Sequence, residues 1–154
     1  MSTLRAPLAA MSLSILLTAC GGGGDDAAPA DKYVGTWDIP CEVDGSISVL
    51  GEVTLNKASG NSVSGPLTWR IFKNTSCSGA PYSTITLQAA VTIHGTAEID
   101  GKTVDQVTEA LGDDVSKDVY YVTGNQWFES PEGSPTGPGG FPTNLNLAIA
   151  TTKR

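Results

Sequence analysis

Apolar and polar residues alternate one by one along most of the chain from Lys32 onward. Val53 and Leu55 alternate with Thr54 and Asn56, and Leu67, Trp69 and Ile71 with Thr68 and Arg70. Ile85 and Leu87 alternate with Thr84, Thr86 and Gln88. Val91, Ile93, Ala97 and Ile99 do so with Thr92, His94, Thr96 and Glu98, and Leu145, Leu147 and Ile149 with Asn144, Asn146 and Ala148. Successive side chains of a strand point to opposite faces, so this period of two predicts half-buried antiparallel strands. The Thr, Val and Ile content suits pleated surfaces. Asp44-Gly45, Gly60-Asn61, Asp100-Gly101 and Gly124-Asn125 supply tight hairpin turns between the runs. Strands are predicted near 33–39, 46–57, 62–73, 83–90, 91–100, 102–109, 118–123, 126–129 and 143–152. Asp105 to Leu111 is the one stretch that also suits a short helix, and strand is preferred there. The expected fold is all-β, a small antiparallel up-and-down barrel of about eight strands, because closure removes exposed edges. A two-sheet β-sandwich is the alternative.

Composition narrows the function classes. The chain has 154 residues, enough for one domain. Nine Lys plus Arg stand against sixteen Asp plus Glu, which excludes the basic stripe that nucleic acid requires and electrostatic adsorption to anionic lipid. The first twenty residues have a different character: Arg5 is their one charge, and Ala6 to Leu17 is apolar or small. That run is too short to span a bilayer and reads as an export signal.

The end of this leader, Leu17-Thr18-Ala19-Cys20, resembles the lipobox of bacterial lipoproteins. The resemblance implies cleavage before Cys20, a diacylglycerol on its sulfur and an acylated amine, such as a palmitate amide. Two or three acyl chains anchor far more firmly than one. Gly21, rather than Asp, after the cysteine implies delivery to the outer membrane. The expected organisation is a lipoprotein signal peptide over 1–19, a lipidated Cys20 with a flexible glycine-rich tether over 20–31, and a single barrel domain over 32–154. Loss of Arg5 makes the mature chain one unit more negative. With Cys20 assigned to lipid, Cys41 and Cys77 remain, and the oxidising envelope predicts a disulfide between them. Closing that loop contributes about 4 kcal/mol in the chain-entropy view. Neither cysteine belongs to a CxxC pair or has a histidine nearby, so no zinc site is expected.

Gly35-Thr36-Trp37 on the first predicted strand resembles the Gly-x-Trp pattern of lipocalins and other calycins. The resemblance implies that Trp37 plugs the closed end of the barrel, covered by a basic residue after the last strand. Lys153 and Arg154 stand in that place, suited to a cation–π contact. The same stretch is similar to small periplasmic barrels that inhibit proteases, where a disulfide cysteine such as Cys41 follows closely.

No catalytic constellation emerges. His94, the single histidine, lies on a polar strand face. Gly60-Asn61-Ser62-Val63-Ser64 lacks the final glycine of a nucleophile elbow, and no base accompanies its serine. Glu98, Asp100, Asp105 and Glu109 gather near one hairpin with Lys102 among them, and are expected to be solvated charge rather than an acid–base pair. Asp113, Asp114 and Asp118 do not have EF-hand spacing. No phosphate loop, metal site or cofactor is predicted. Ser130 to Pro142 is a long Pro- and Gly-rich loop, a lid or a disordered segment, with its low complexity favouring disorder. Should a binding mouth exist, this loop with Tyr120, Tyr121, Trp127 and Phe141 is expected to form it. Leu, Val, Ile and Trp dominate the assigned inward positions, which favours a filled interior. The leading expectation is a non-enzymatic, lipid-anchored envelope protein that binds a small apolar ligand or an envelope component. A protein inhibitor of a hydrolase and a structural accessory lipoprotein of outer-membrane assembly are the alternatives.

Overall fold

A computed structural model describes residues 27–154; the leader, Cys20 and residues up to 26 lie outside the described residues. The chain forms a closed antiparallel up-and-down barrel of eight strands joined in sequence order. These are β1 (Gly35–Asp44), β2 (Ile47–Ser59), β3 (Ser62–Phe72), β4 (Ser83–Ile99), β5 (Lys102–Leu111), β6 (Asp114–Thr123), β7 (Gln126–Phe128) and β8 (Thr151–Lys153). The alternation puts Val53, Leu55, Val63, Leu67, Ala89, Val91 and Val107 into one buried cluster inside. Closure is made by β8, which pairs with β1 through Trp37–Lys153 and Asp38–Thr152, and with β7 through Trp127–Thr151.

The hairpins alternate between two ends that differ. At one end, a 3-10 turn over Pro29–Tyr33 folds under the barrel, with Ala30 and Tyr33 fully buried. Packing against the barrel thus begins before Asp31, within the stretch assigned to the tether. Trp37 is fully buried beside Tyr33 and donates from Nε1 to the Tyr33 carbonyl at 2.8 Å. Lys153 Nζ lies 5.3 Å from the Trp37 ring centroid. Gly35 makes this crossing feasible. Its φ of +134° disfavours any side chain, and an added Cβ would meet Lys153 Cε at 2.6 Å. Arg154 takes a separate role, pairing with Asp38 at 2.6 Å and Glu52 at 2.7 Å.

Three strand expectations need correction. The segments near 83–90 and 91–100 are one strand, β4, since Ala89-Ala90-Val91 contains no turn residue. Within β4, a bulge between Ile93 and Gly95 adds a residue opposite β5 and reverses which face is inward. Ala97 and Ile99 therefore leave the interior and join Val104, Val119, Tyr121, Phe141 and Leu145 in a second apolar cluster. The expected strand at 143–152 is reduced to Thr151–Lys153. Leu145 packs into that second cluster, while Leu147 and Ile149 are each 48% exposed. Ser130 to Pro142 is ordered rather than disordered: Thr136 bridges to Pro142, and Lys117 Nζ donates to the Gly139 carbonyl at 2.6 Å.

The Cys41–Cys77 disulfide is present, with Cα atoms 5.9 Å apart. It ties β1 to the β3–β4 loop, and Ser48 Oγ accepts from the Cys77 amide at 2.9 Å on the same side.

Candidate functional site

Between the two ends the barrel interior changes character. Its closed half is packed with aromatics. Trp127 meets Trp37 edge-on at 5.5 Å, Tyr33 at 5.5 Å and Tyr120 at 4.7 Å between ring centroids. Asp105 points into this half from β5 and is 3% exposed. Lys32 Nζ pairs with it at 2.6 Å, and the Tyr33 hydroxyl donates to it at 2.5 Å. Burial, and then the Asp105 charge, push the Tyr33 hydroxyl far up, so it stays a donor. The clasp joins the 3-10 turn to β5.

The other half opens to solvent. Short β7 ends at Phe128, and Glu129, Ser130, Pro131, Glu132, Asn146 and Ile149 from the connection to β8 border the opening there. A cavity of about 390 Å³ is bounded by Ile39, Pro40, Glu42, Trp127, Glu129, Ser130, Pro131, Glu132, Asn146, Ile149 and Thr151. It shares Ile39, Trp127, Glu129 and Thr151 with a void of about 30 Å³ below, floored by Leu55, Leu67, Val91, Glu109 and Leu111. That void holds about one water or a methyl group, so the interior is filled below and open above.

The acids of this half have a common cause for their behaviour. Glu109 follows Val107 by two positions on β5 and therefore faces inward. Burial raises its carboxyl, and nearby Asp118 adds to the rise. Glu129 is exposed at the mouth. Protein nevertheless crowds it, and that desolvation, with Glu109, Asp118 and Glu42, pushes its carboxyl up to about 8. Asp118 differs in use. Its Oδ1 accepts from the Ser130 hydroxyl at 2.6 Å and the Ser130 amide at 3.2 Å, which pins the start of the rim segment to β6. Two donors in the interior have no acceptor among the described residues, the Tyr120 hydroxyl and Trp127 Nε1. The Tyr120 hydroxyl lies beside Glu109 and holds back the rise of its carboxyl.

The four aromatics expected at a mouth do not meet there. Tyr120 is fully buried in the closed half, and Trp127, 4% exposed, is the one that also bounds the cavity. Tyr121 stacks on Phe128 outside at 6.1 Å, and Phe141 packs on the outer cluster near His94. Adjacent residues of a strand face opposite ways, so Tyr120 and Tyr121 were never able to share a wall. The acidic group at 98–109 is likewise dispersed. Glu98 is exposed and accepts from Thr103, Asp100 sits in a turn, Asp105 is in the clasp and Glu109 is inside. Sequence reasoning missed Glu109, Glu129 and Glu42 as cavity groups. For Glu109 a signal existed, since it shares the parity of Val107 and Leu111. For Glu129 and Glu42 none did, because the strands have ended or bulged before them. His94 is exposed and hydrogen-bonded to Thr108 Oγ1 at 2.7 Å. Among the described residues no three His, Cys, Asp or Glu side chains come together to hold a metal ion.

Comparison with protein-family models, with curated proteins and with solved structures gives no match to this chain.

Proposed function

We propose that this chain is a non-enzymatic, lipid-anchored envelope protein that takes a small ligand with an apolar body into the open half of its barrel. The observation that carries this reading is the asymmetry of the interior. One end is plugged by Tyr33 and Trp37, and the other opens through a cavity of about 390 Å³ onto an apolar floor. Concave sites with apolar walls and a few polar groups are the usual form of a small-molecule site. The lipobox at Leu17–Cys20 supplies the address, and Gly21 points to the outer membrane. The Trp37–Lys153 contact supports the lipocalin-like reading of Gly35-Thr36-Trp37.

Native mass spectrometry of the mature chain, extracted gently from membranes, tests the ligand. A bound mass that disappears on denaturation is expected; a clean apo mass from several preparations would count against it. The anchor is tested separately. Cys20→Ala should abolish palmitate labelling and release the chain from the membrane fraction, and retained labelling would remove the lipobox argument.

A second reading has one observation in its favour. Val43, Ile47, Tyr82, Ile85, Val115, Leu147 and Ile149 are the large apolar residues left exposed among those described, and all lie on the mouth-end half. An apolar rim of this kind suits a protein partner, such as a hydrolase inhibited by the rim loops or an envelope component.

A further inference from the structure

The strands end at different heights around the mouth. β5 stops at Leu111, opposite Ala89, so β4 from Ser83 to Gln88 is paired with β3 on one side and, among the described residues, with no strand on the other. The Gln88 carbonyl points to that open side, where it accepts from the Gly112 amide at 2.9 Å. Main-chain groups alternate in direction along a strand, so Thr86 and Thr84 turn their N–H and C=O to the same side. An edge left open in this way is a template for another strand, and proteins blunt such edges with charge, proline or a bulge. Ser83-Thr84-Ile85-Thr86-Leu87-Gln88 has none of these and is rich in residues that favour strands.

The edges of β1 and β6 that also lie open at this end are blocked. β1 beyond Asp38 has no β8 partner, but it carries Pro40, the Cys41 disulfide, a bulge, Glu42 and Asp44. β6 before Tyr121 has no β7 partner, but Asp118 binds Ser130 and Lys117 binds the Gly139 carbonyl, which holds the rim segment beside it. The β4 edge adjoins an apolar face instead. Ile85 stands opposite Trp69 and Leu87 opposite Leu67 on the inward side, and Ile85 is 43% exposed. None of residues 83–88 lines the cavity. Where the edge meets the β5–β6 turn, Asp113 and Asp114 are exposed and take part in none of the ion pairs among the described residues. Arg70, opposite Thr84 on the outer face, is turned to Glu52 at 3.8 Å.

We propose that the β4 edge from Ser83 to Gln88 receives an extended segment of a partner polypeptide as an added strand, apolar on its inward side and basic at its N-terminal end. The N–H and C=O groups of Thr84 and Thr86 hold its main chain. Its residues opposite Ile85 and Leu87 fall on the inward face and cover them. An antiparallel strand there continues the line of β5, so it begins over Gly112, and a basic residue at that end meets Asp113 and Asp114. A second copy of this chain suits the edge less well, because the chain carries a net charge of −7 and its own β4 edge has no basic residue for those aspartates. A guest in the cavity leaves this edge free, so the two sites stand or fall separately.

Isothermal titration of the lipidated mature chain in phosphatidylcholine nanodiscs, with empty nanodiscs as blank, tests the strand addition with synthetic peptides. The probe is acetyl-Lys-Lys-Val-Thr-Val-Thr-Val-amide, whose threonines face Thr86 and Thr84. Methylating its two threonine nitrogens removes the donors aimed at β4 and should weaken binding at least about tenfold. Replacing both lysines with glutamate should weaken it severalfold. Thr86→Pro removes one N–H from the open side and none from the β3 ladder, and should also weaken it severalfold. A methylated peptide that binds as tightly as its parent overturns strand addition, and a glutamate peptide that does so overturns the basic partner. Unchanged binding to Thr86→Pro removes the site from β4. Binding of no peptide overturns the proposal, and dimers of the chain that Thr86→Pro dissociates would give the edge to a second copy. The wild-type series decides the matter even if Thr86→Pro does not fold.

Discussion

Two carboxylates on one strand, four residues apart and facing the same interior, are treated in opposite ways. Asp105 in the closed half meets Lys32 and the Tyr33 hydroxyl and is sealed from water. Glu109 in the open half has the Tyr120 hydroxyl beside it but no cation, and Asp118 repels it. A buried charge persists at modest cost where a cation and a donor surround it. Where the cation is missing, burial and like charge raise the carboxyl instead. The comparison separates a half that holds the fold together from a half that opens to solvent.

The comparison is broken most strongly at the plug. Trp37→Ala removes the indole that Trp127 and Tyr33 pack against, and should cost about 3–5 kcal/mol, as large-to-small core substitutions of aromatics do. Urea unfolding measures it, and a loss below about 1 kcal/mol would mean that the closed half is not the stability centre. Next comes the clasp. Asp105→Asn leaves the Tyr33 hydroxyl a weaker acceptor and Lys32 no partner, and should cost about 1–3 kcal/mol. Lys32 is 42% exposed, which lets water take over part of its role and keeps the loss below that of a fully buried pair.

The smallest effect has the opposite sign. The folded-state pKa of Glu129 is raised from 4.5 to about 8. Its contribution to stability is therefore fully present below pH 4.5 and is lost as pH rises towards 8, where the unfolded chain carries the ionised group more easily. Glu42, Glu109 and Asp118 face it, and the carboxyls of Glu109 and Asp118 are raised as well, first by burial. Glu129→Gln should match wild type near pH 4 and gain stability across the interval up to pH 8. Solvent at the mouth screens the group, so the gain is on the order of 1 kcal/mol or less. Thermal unfolding of both proteins at pH 4 and pH 8 sharpens the contrast. A variant less stable than wild type at pH 8 would make Glu129 a structural partner after all.

Much of the closed half was legible in the chain. Gly35-Thr36-Trp37, with Lys153 and Arg154 as the two basic candidates after the last strand, marked the plug by its likeness to the lipocalin pattern, and alternation over β2 and β3 marked the faces. The open half was hardly legible. Its groups come from the bulged end of β1, the residue after β7 and the rim segment, where the period of two has stopped. The run Leu145, Leu147 and Ile149 shows the same limit. It alternates like a strand but crosses the outside of the barrel, because Asp118 holds Ser130 and Phe141 is drawn to the outer cluster.

The sequence by itself determined the all-β class, the up-and-down order, the plug and the cysteine pair. The class and the order follow from side-chain parity and turn residues, the plug from the likeness of Gly35-Thr36-Trp37 to the lipocalin pattern, and the pair from the expectation of an oxidising compartment. Only the tertiary structure decided which acids share a cavity, which aromatics are inside and where the barrel opens. A single extra residue at His94 reverses a face, and early termination of β7 leaves a gap that the rim segment borders. Such events shift the register of everything beyond them, and their energy lies in contacts between distant segments.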